Sequence, residues 1–265
     1  MQFEDYIARW QLVPDGEPII THSSRLLPVT QHGRPAMLKI AHEPDEKAGN
    51  SIMVWWNGEG AAPVLEHDEA ALLMERAQGT RSLAAMAKNG EDEAATRILC
   101  AATARLHAVK RQPLPVLKTL KEWFRDLELH AHQYGGIFLD AAATAEALLN
   151  DQQEITVLHG DVHHDNFLDF GEHGWLAIDP KWIIGDRAFD YTNIFCNPDF
   201  DSATPPHRFL SRLNVITQAA GLERKRLLQW TLAWAGLSAI WFLEDNQAAE
   251  IDLAIAELVK AELEK

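Results

Sequence analysis

The stretch LHGDVHHDNFLDFGEHGWLAIDPK, residues 158–181, interrupts an otherwise helical texture. A short apolar run, Ile155–Leu158, leads into a polar loop from His159 to Asn166. Two more apolar runs follow, Phe167–Phe170 and Trp175–Ile178, separated by Gly171 and Gly174. Short apolar runs around glycine turns predict a strand, a loop and a hairpin. The loop and the hairpin's end also concentrate polar side chains. Asn166 stands five residues after Asp161, and Asp179 follows thirteen residues after Asn166.

That spacing has a chemical meaning. Moving a phosphoryl group from a nucleoside triphosphate needs little covalent help; it needs a positioned acceptor hydroxyl and cations on the phosphates. Asp161 can accept the hydroxyl proton, and the Asp-to-Asn spacing of five is that of a kinase catalytic loop. Asp179, returned by the hairpin, can hold magnesium together with Asn166 through oxygen atoms. Taken singly, a loop Asp or Asn closes a turn or caps a helix. The joint pattern of loop, hairpin and terminal aspartate points to catalysis. His159, His163, His164 and Asp165 also admit a zinc reading, but the chain offers no second His, Asp or Cys cluster to complete it. His159 is expected to anchor the loop, with His163 and His164 structural or lining the cleft.

Outward from this segment the texture differs on the two sides. Ile19–Thr21, Leu26–Thr30 and Ala36–Ile40 are short and broken by Pro28, Gly33 and Pro35, the punctuation of hairpins. Pro44, Asp45 and Glu46 open one helix that runs to Trp55 and Trp56 and stops at Asn57-Gly58. Val64–Leu65 and Ala70–Met74 continue the strands. After Gly79 the pattern turns helical. Glu91, Asp92 and Glu93 sit at a helix N-terminus, followed by one apolar face of Ala94, Ala95, Ile98, Leu99, Ala102 and Leu106. Helices also fit about residues 116–134 and 137–150, and again from Ala188 onward. Leu227–Leu243 is the most apolar run, but Gln229, Thr231 and Ser238 interrupt it. It falls short of the roughly 20 residues of a membrane span and reads as a buried helix. The expected fold is α+β, with a small β-rich N-lobe (1–77) and a larger helical C-lobe (78–265) carrying the catalytic hairpin. A ligand cleft is expected between them.

The 265 residues carry a net charge of −15. That excess excludes a nucleic-acid partner and a polybasic membrane anchor. It keeps a protein soluble and also suits a cationic substrate. Asp186, Asp190, Asp199, Asp201, Glu244 and Asp245 follow the catalytic loop, and Asp190 and Glu244 are the expected acceptor-binding acids. Cys100 and Cys196 lie in apolar stretches without CxxC spacing, which predicts buried thiols and a reducing cytoplasm. The opening MQFEDYIARW lacks the features of a signal peptide.

Residues 158–198 resemble the aminoglycoside phosphotransferase family of kinase-like enzymes. Within it they resemble the aminoglycoside/hydroxyurea resistance branch, which includes streptomycin 6-phosphotransferases. The stretches WWNGEGA (55–61), LLMER (72–76) and RLH (105–107) extend the resemblance over nearly the whole chain. It implies a bilobal protein-kinase-like fold with ATP under the N-lobe. Asp161 would be the catalytic base, Asn166 and Asp179 the magnesium ligands, and Lys39 the strand lysine on the α- and β-phosphates. Backbone groups around Glu75–Ala77 would hold adenine. Lys181, in the branch's IDPK, would touch phosphate or substrate, or pair with a neighbouring acid. Two departures stand out. The N-terminal hairpin lacks GxGxxG, so Ser23 and Ser24 at its tip would cover the phosphates. The helix at Asn50-Ser51-Ile52-Met53 lacks a glutamate, which leaves Glu46 as the partner of Lys39. The expected activity is ATP- and magnesium-dependent transfer to a hydroxyl of a small cationic molecule such as an aminoglycoside. A metabolic kinase on an amino alcohol or sugar, a nucleotide-binding module without turnover and a zinc hydrolase are the alternatives.

Overall fold

Proline and glycine divide the first eighty residues into strands. A computed structural model describes residues 2–265. Helix α1 (Phe3–Arg9) precedes strands β1 (Leu12–Pro14), β2 (Ile19–Ile20), β3 (Ser24–Gln31) and β4 (Arg34–Ala41). Helix α2 (Pro44–Trp56) and strands β5 (Val64–His67) and β6 (Ala71–Glu75) follow. The strands form one sheet in the order β1-β3-β4-β6-β5, with β2 on β3. His32 and Gly33, both at positive φ (50° and 78°), make the tight turn between β3 and β4, the geometry that matches strand twist.

Alternation along β4 sets the two faces of the sheet. Ala36, Leu38 and Ile40 join Tyr6, Trp10 and Val29 in an outer core. Met37 and Lys39 therefore point the other way, toward α2 and the cleft. The sequence pattern predicts one helix here, and the structure has two. Phe3, Tyr6, Ile7 and Trp10 recur at helical spacing, and Tyr6 and Trp10 bury against the sheet. Asn57, in the left-handed region, ends α2 as expected.

The remainder comprises α3 (Leu83–Lys88), α4 (Asp92–Ala108), β7 (Lys118–Thr119), α5 (Leu120–Trp123), α6 (Arg125–Tyr134), α7 (Ile137–Asn150), β8 (Ile155–Leu158), β9 (Phe167–Asp169), β10 (Trp175–Ala177) and β11 (Ile183–Asp186). Short 3-10 turns at Arg187–Tyr191 and Asn193–Cys196 lead to α8 (Phe200–Ala203), α9 (Pro206–Ala220), α10 (Arg224–Glu244) and α11 (Glu250–Leu263). The helical pattern over 116–134 is divided. Thr119 pairs through β7 with β11, then caps α5 in a reciprocal box with Glu122. Helix α10 is apolar on nearly all sides because α6, α7 and α11 surround it. Among the described residues no helix is long and apolar enough to cross a membrane. Two bonds join the N-terminal region to the β9–β10 hairpin: Ala62 N–H to the Ala177 carbonyl (2.9 Å) and Ala177 N–H to the Gly60 carbonyl (3.0 Å).

Candidate active site

The loop after β8 is held from beneath. Asp190 is 2% exposed. Its carboxylate accepts the backbone N–H groups of His159 (2.9 Å) and Gly160 (2.7 Å) and contacts His107 Nε2 at 2.7 Å. This corrects the expectation that Asp190 meets the acceptor. The 3-10 turn after β11 directs it inward, under the loop. Gly160 has φ 77°, and a Cβ there would lie 2.8 Å from Ile183 and 2.9 Å from Lys181, so the position requires glycine. His159 anchors the loop as expected. Its Nε2 donates to the Ile178 carbonyl at 2.9 Å, and its Nδ1 accepts Asp161 N–H at 3.2 Å. Both ring nitrogens are thereby used. His164 is buried, and burial, with Arg212 nearby, holds its imidazole down to about 3. Among the described residues no group of three or more His, Cys, Asp or Glu side chains is placed to hold a metal, so the zinc alternative lacks a ligand set.

Asp161 and Asn166 are brought together by that loop. Asn166 Nδ2 donates to the Asp161 carbonyl at 2.9 Å, leaving its Oδ1 as a free acceptor. The hairpin register pairs Ala177 with Phe167, and Ile178 N–H reaches the Asn166 carbonyl at 2.9 Å. Asp179 follows at φ 57°, an uncommon conformation for a non-glycine residue and one that clusters at functional sites. Asp161 Oδ1 accepts Asn193 Nδ2 at 2.9 Å, and the Oδ1 of Asn193 receives Asn197 Nδ2 (3.1 Å) and Trp234 Nε1 (3.2 Å). Asn193 escaped the sequence reading. Its one signal was two asparagines four apart around the apolar Ile194-Phe195-Cys196.

Lysine 39 is buried and ion-pairs with both Glu46 and Asp179. The expected Lys39–Glu46 pair thus forms, although Glu46 lies in the first turn of α2. A close approach allows it, because a Cβ on Gly49 would come within 2.4 Å of the Pro180 carbonyl oxygen. Lys181 Nζ lies 3.7 Å from Asp161 and 3.8 Å from Glu46. Burial would raise the Asp179 carboxyl, but Lys39 and Lys181 more than offset it and hold it below its ordinary value. Burial likewise opposes charge on Lys181, and Asp161, Asp179 and Glu46 together raise it. Two lysines face three carboxylates, an excess of negative charge that a divalent cation would offset.

Around the loop tip the picture differs from expectation. Ser24 is buried as the first residue of β3, and its hydroxyl meets Thr21 Oγ1 at 3.1 Å. That hydroxyl shapes the turn and is not presented to a phosphate. The Ser23 carbonyl accepts His42 N–H at 2.9 Å, which ties the tip to the end of β4. Glu75 ends β6 with its N–H on the Pro63 carbonyl at 2.9 Å. The Ala77 carbonyl takes Gln78 Nε2 at 3.0 Å.

Beside Asp161 opens a cavity of about 560 Å³, lined by Lys181, Asn193, Trp123, Trp234 and Trp241 among others. Glu244 is absent from its wall and stands 3.0 Å from His130 Nδ1, which corrects its expected role. It lies on the side of α10 turned toward α6. The acids that do line the cavity with Asp161 are Asp245 and Asp252.

Comparison with known proteins agrees with this geometry. The family described as aminoglycoside/hydroxyurea antibiotic resistance kinase matches residues 9–246. The chain is 48% identical to a streptomycin 3''-kinase of Klebsiella pneumoniae over 261 residues, covering 95% of this chain and 98% of that one. It is 31% identical to a streptomycin 6-kinase of Streptomyces glaucescens, covering 97% and 87%. The fold is similar to that of a solved aminoglycoside phosphotransferase, APH(4)-Ia, in a ternary complex with ADP and hygromycin B. The TM-score is 0.66 at 15% identity, over 97% of each chain. By sequence, this chain belongs to the aminoglycoside/hydroxyurea antibiotic resistance kinase family.

Proposed function

We propose that this kinase transfers the γ-phosphoryl group of ATP to the 3''-hydroxyl of streptomycin. The observation that carries the reading is the 48% identity to a streptomycin 3''-kinase across 95% of this chain and 98% of that one. Identity to a streptomycin 6-kinase is 31%, which favours the 3'' position. The geometry supports the same chemistry. Asp161 stands at the wall of the 560 Å³ cavity, oriented by Asn193, where it can take the hydroxyl proton as the oxygen attacks the γ-phosphorus and ADP leaves. Lys39 can exchange its carboxylate partners for the α- and β-phosphates. Lys181, between the acceptor side and the nucleotide side, is placed to meet the transferring phosphoryl group. Residues 1–77 form the lobe over the nucleotide, with adenine against backbone groups at Glu75–Ala77 and the Ser23 segment over the phosphates.

Magnesium fits the residues present. The free Oδ1 of Asn166 and the carboxylate of Asp179 are hard oxygen donors on one side of a site with surplus negative charge, and phosphate oxygens complete such a set. A bound ion would supply positive charge against that developing on the phosphates. Asn166 and Asp179 would hold it, and Lys39 and Glu46 would set where the phosphates lie.

Incubation with ATP, magnesium and streptomycin is the test, with the product analysed by mass and by phosphorus–proton NMR correlation. One added phosphoryl group coupled to the 3''-proton is expected. Coupling at the 6 position overturns the regiochemistry. An inert streptomycin alongside a phosphorylated amino alcohol or sugar overturns the substrate. ATP binding without turnover on any acceptor would make the chain a nucleotide-binding module.

A further inference from the structure

The acceptor cavity holds two acids that phosphoryl transfer leaves unused, Asp245 and Asp252. Asp252, in the first turn of α11, lines the cavity and is 3% exposed. Ser238 of α10 and the Cys196 thiol sit against its carboxyl and favour the charged form. Its Oδ1 is buried and has no hydrogen-bond partner among the described residues. Buried carboxylate oxygens in folded proteins are nearly always paired, because an unpaired one loses its water and gains nothing. Asp252 therefore brings to the cavity wall a carboxyl that is not fully paired. Burial pushes the Asp252 carboxyl up from its ordinary value, the state that an adjoining cation would relieve.

The other acid in the wall is weaker by position. Asp245 is exposed, so water and salt screen it. The same charge at Asp252 acts through a lower dielectric and discriminates more between charged and neutral ligands. The aromatic rings of Trp234 and Trp241, edge-on to each other with centroids 5.8 Å apart, stand in the same wall, and aromatic faces favour cations. Asp161 lies in the wall as well, so an acceptor can be held at two points.

We propose that Asp252 is a specificity-determining residue of this kinase, its carboxylate receiving a cationic nitrogen group, ammonium or guanidinium, of the acceptor while the hydroxyl lies at Asp161. The assignment rests on the cavity being the acceptor site. A cationic group supplies both the missing donor and the missing counter-charge; a neutral N–H or O–H supplies only the first.

The test is a cycle between protein and ligand. Michaelis constants are measured for the parent and Asp252→Asn with streptomycin and with three analogues. Each analogue has one cationic group neutralised: either guanidino replaced by carbamoyl, or the methylamino acetylated. Asp252→Asn should raise the streptomycin constant about 10–100-fold, the scale of a lost charge-assisted hydrogen bond. The constant for ATP should stay within about twofold. One analogue should bind the parent as weakly as streptomycin binds the variant, with no further loss on Asp252→Asn. Equal losses for all four ligands would make Asp252 structural and overturn the proposal, as would no loss for any. Asp252→Ser, run in parallel, answers the same question where the asparagine variant folds poorly. A parent that leaves streptomycin untouched refutes the substrate reading separately. The cycle then passes to the best acceptor from a hydroxyl-compound screen, and a best acceptor without any cationic group overturns the Asp252 assignment too.

Discussion

Removing the Asp190 carboxylate should both destabilise the chain and slow transfer, although Asp190 touches no substrate. It accepts two backbone N–H groups, from His159 and Gly160, and contacts the His107 ring, all within 2.9 Å and all buried. In Asp190→Ala those groups lose their partner where water does not replace it. Each unsatisfied buried group costs about 1–3 kcal/mol, and breaking a buried charged network as a whole costs about 3–5 kcal/mol. For a chain of this size about 1 kcal/mol lowers the melting temperature by roughly 2–4 °C, so a drop of about 6–20 °C is expected. The loop that carries Asp161 loosens with it, and a misplacement of about 1 Å can cost about 100-fold in rate. Asp190→Asn keeps one acceptor oxygen and should fall between parent and alanine. Calorimetric melting and kcat on the phosphorylated acceptor are the two readouts. An alanine variant that melts within about 2 °C of the parent and keeps its kcat would refute the view that Asp190 holds the loop.

Asp161→Asn should lower kcat by about 10²–10⁴-fold while ATP affinity holds, and activity within tenfold of the parent would remove Asp161 as the base. Lys39→Met should raise the Michaelis constant for ATP about 10–100-fold and spare that for the acceptor; an unchanged ATP constant would place the phosphates elsewhere. A third expectation concerns pH. Burial holds the His164 imidazole near 3 against an ordinary 6.5, so the unfolded chain takes up the proton first as pH falls. Stability should decline from about pH 6.5 downward, by roughly 2 kcal/mol at pH 5, with His159, also depressed by burial, adding to it. His164→Asn should flatten melting temperature against pH between about 4 and 6.5, and a curve parallel to the parent's would show that His164 is not the group that titrates.

The grouping of Asp161, Asn166 and Asp179 was legible because its parts are contiguous or bound by simple register. Asp161, Asn166 and Asp179 lie within one loop and one hairpin, so spacing alone brings them together. Lys39 was singled out by the family resemblance, since one lysine in a strand is a weak signal, and the β4 alternation decides which face it takes. Glu46 was the harder assignment. Its contact depends on α2 closing on Pro180, which Gly49 permits and no periodicity reveals. Helix α1 went unread although Phe3, Tyr6, Ile7 and Trp10 carry its face, because its core is the far side of a sheet that the pattern does not locate. Asp190 and Glu244 were chosen by proximity in sequence and by charge. One is turned inward by a 3-10 turn, and the other faces α6. Neither orientation follows from composition.

The acceptor side is written in a different way, in the packing of helices. Trp234, Ser238, Trp241 and Asp245 are spaced four, three and four residues apart and all line the cavity, so they form one stripe along α10 and its C-terminal end. In the sequence Ser238 reads as a break in an apolar run, an argument against a membrane span. In the fold it marks the strip of α10 that borders the cavity. A helix apolar on every side gives no sign of which side borders a cavity. The polar residue in the stripe gives that sign, and only once a partner stands opposite. Asn193 and Asp252, 59 residues apart in the chain, supply it from the 3-10 turn and from α11. Asn193 bridges Trp234 of that stripe to Asp161, so the residues that shape the cavity also orient the proposed base. Changing the acceptor stripe should therefore disturb the rate of transfer as well as the choice of acceptor. Trp234→Phe tests this, because it keeps an aromatic ring at the position while it removes the N–H on Asn193 together with the five-membered half of the indole. A several-fold lower kcat with the ATP constant unchanged is expected, and an unaltered kcat would uncouple the cavity wall from the base.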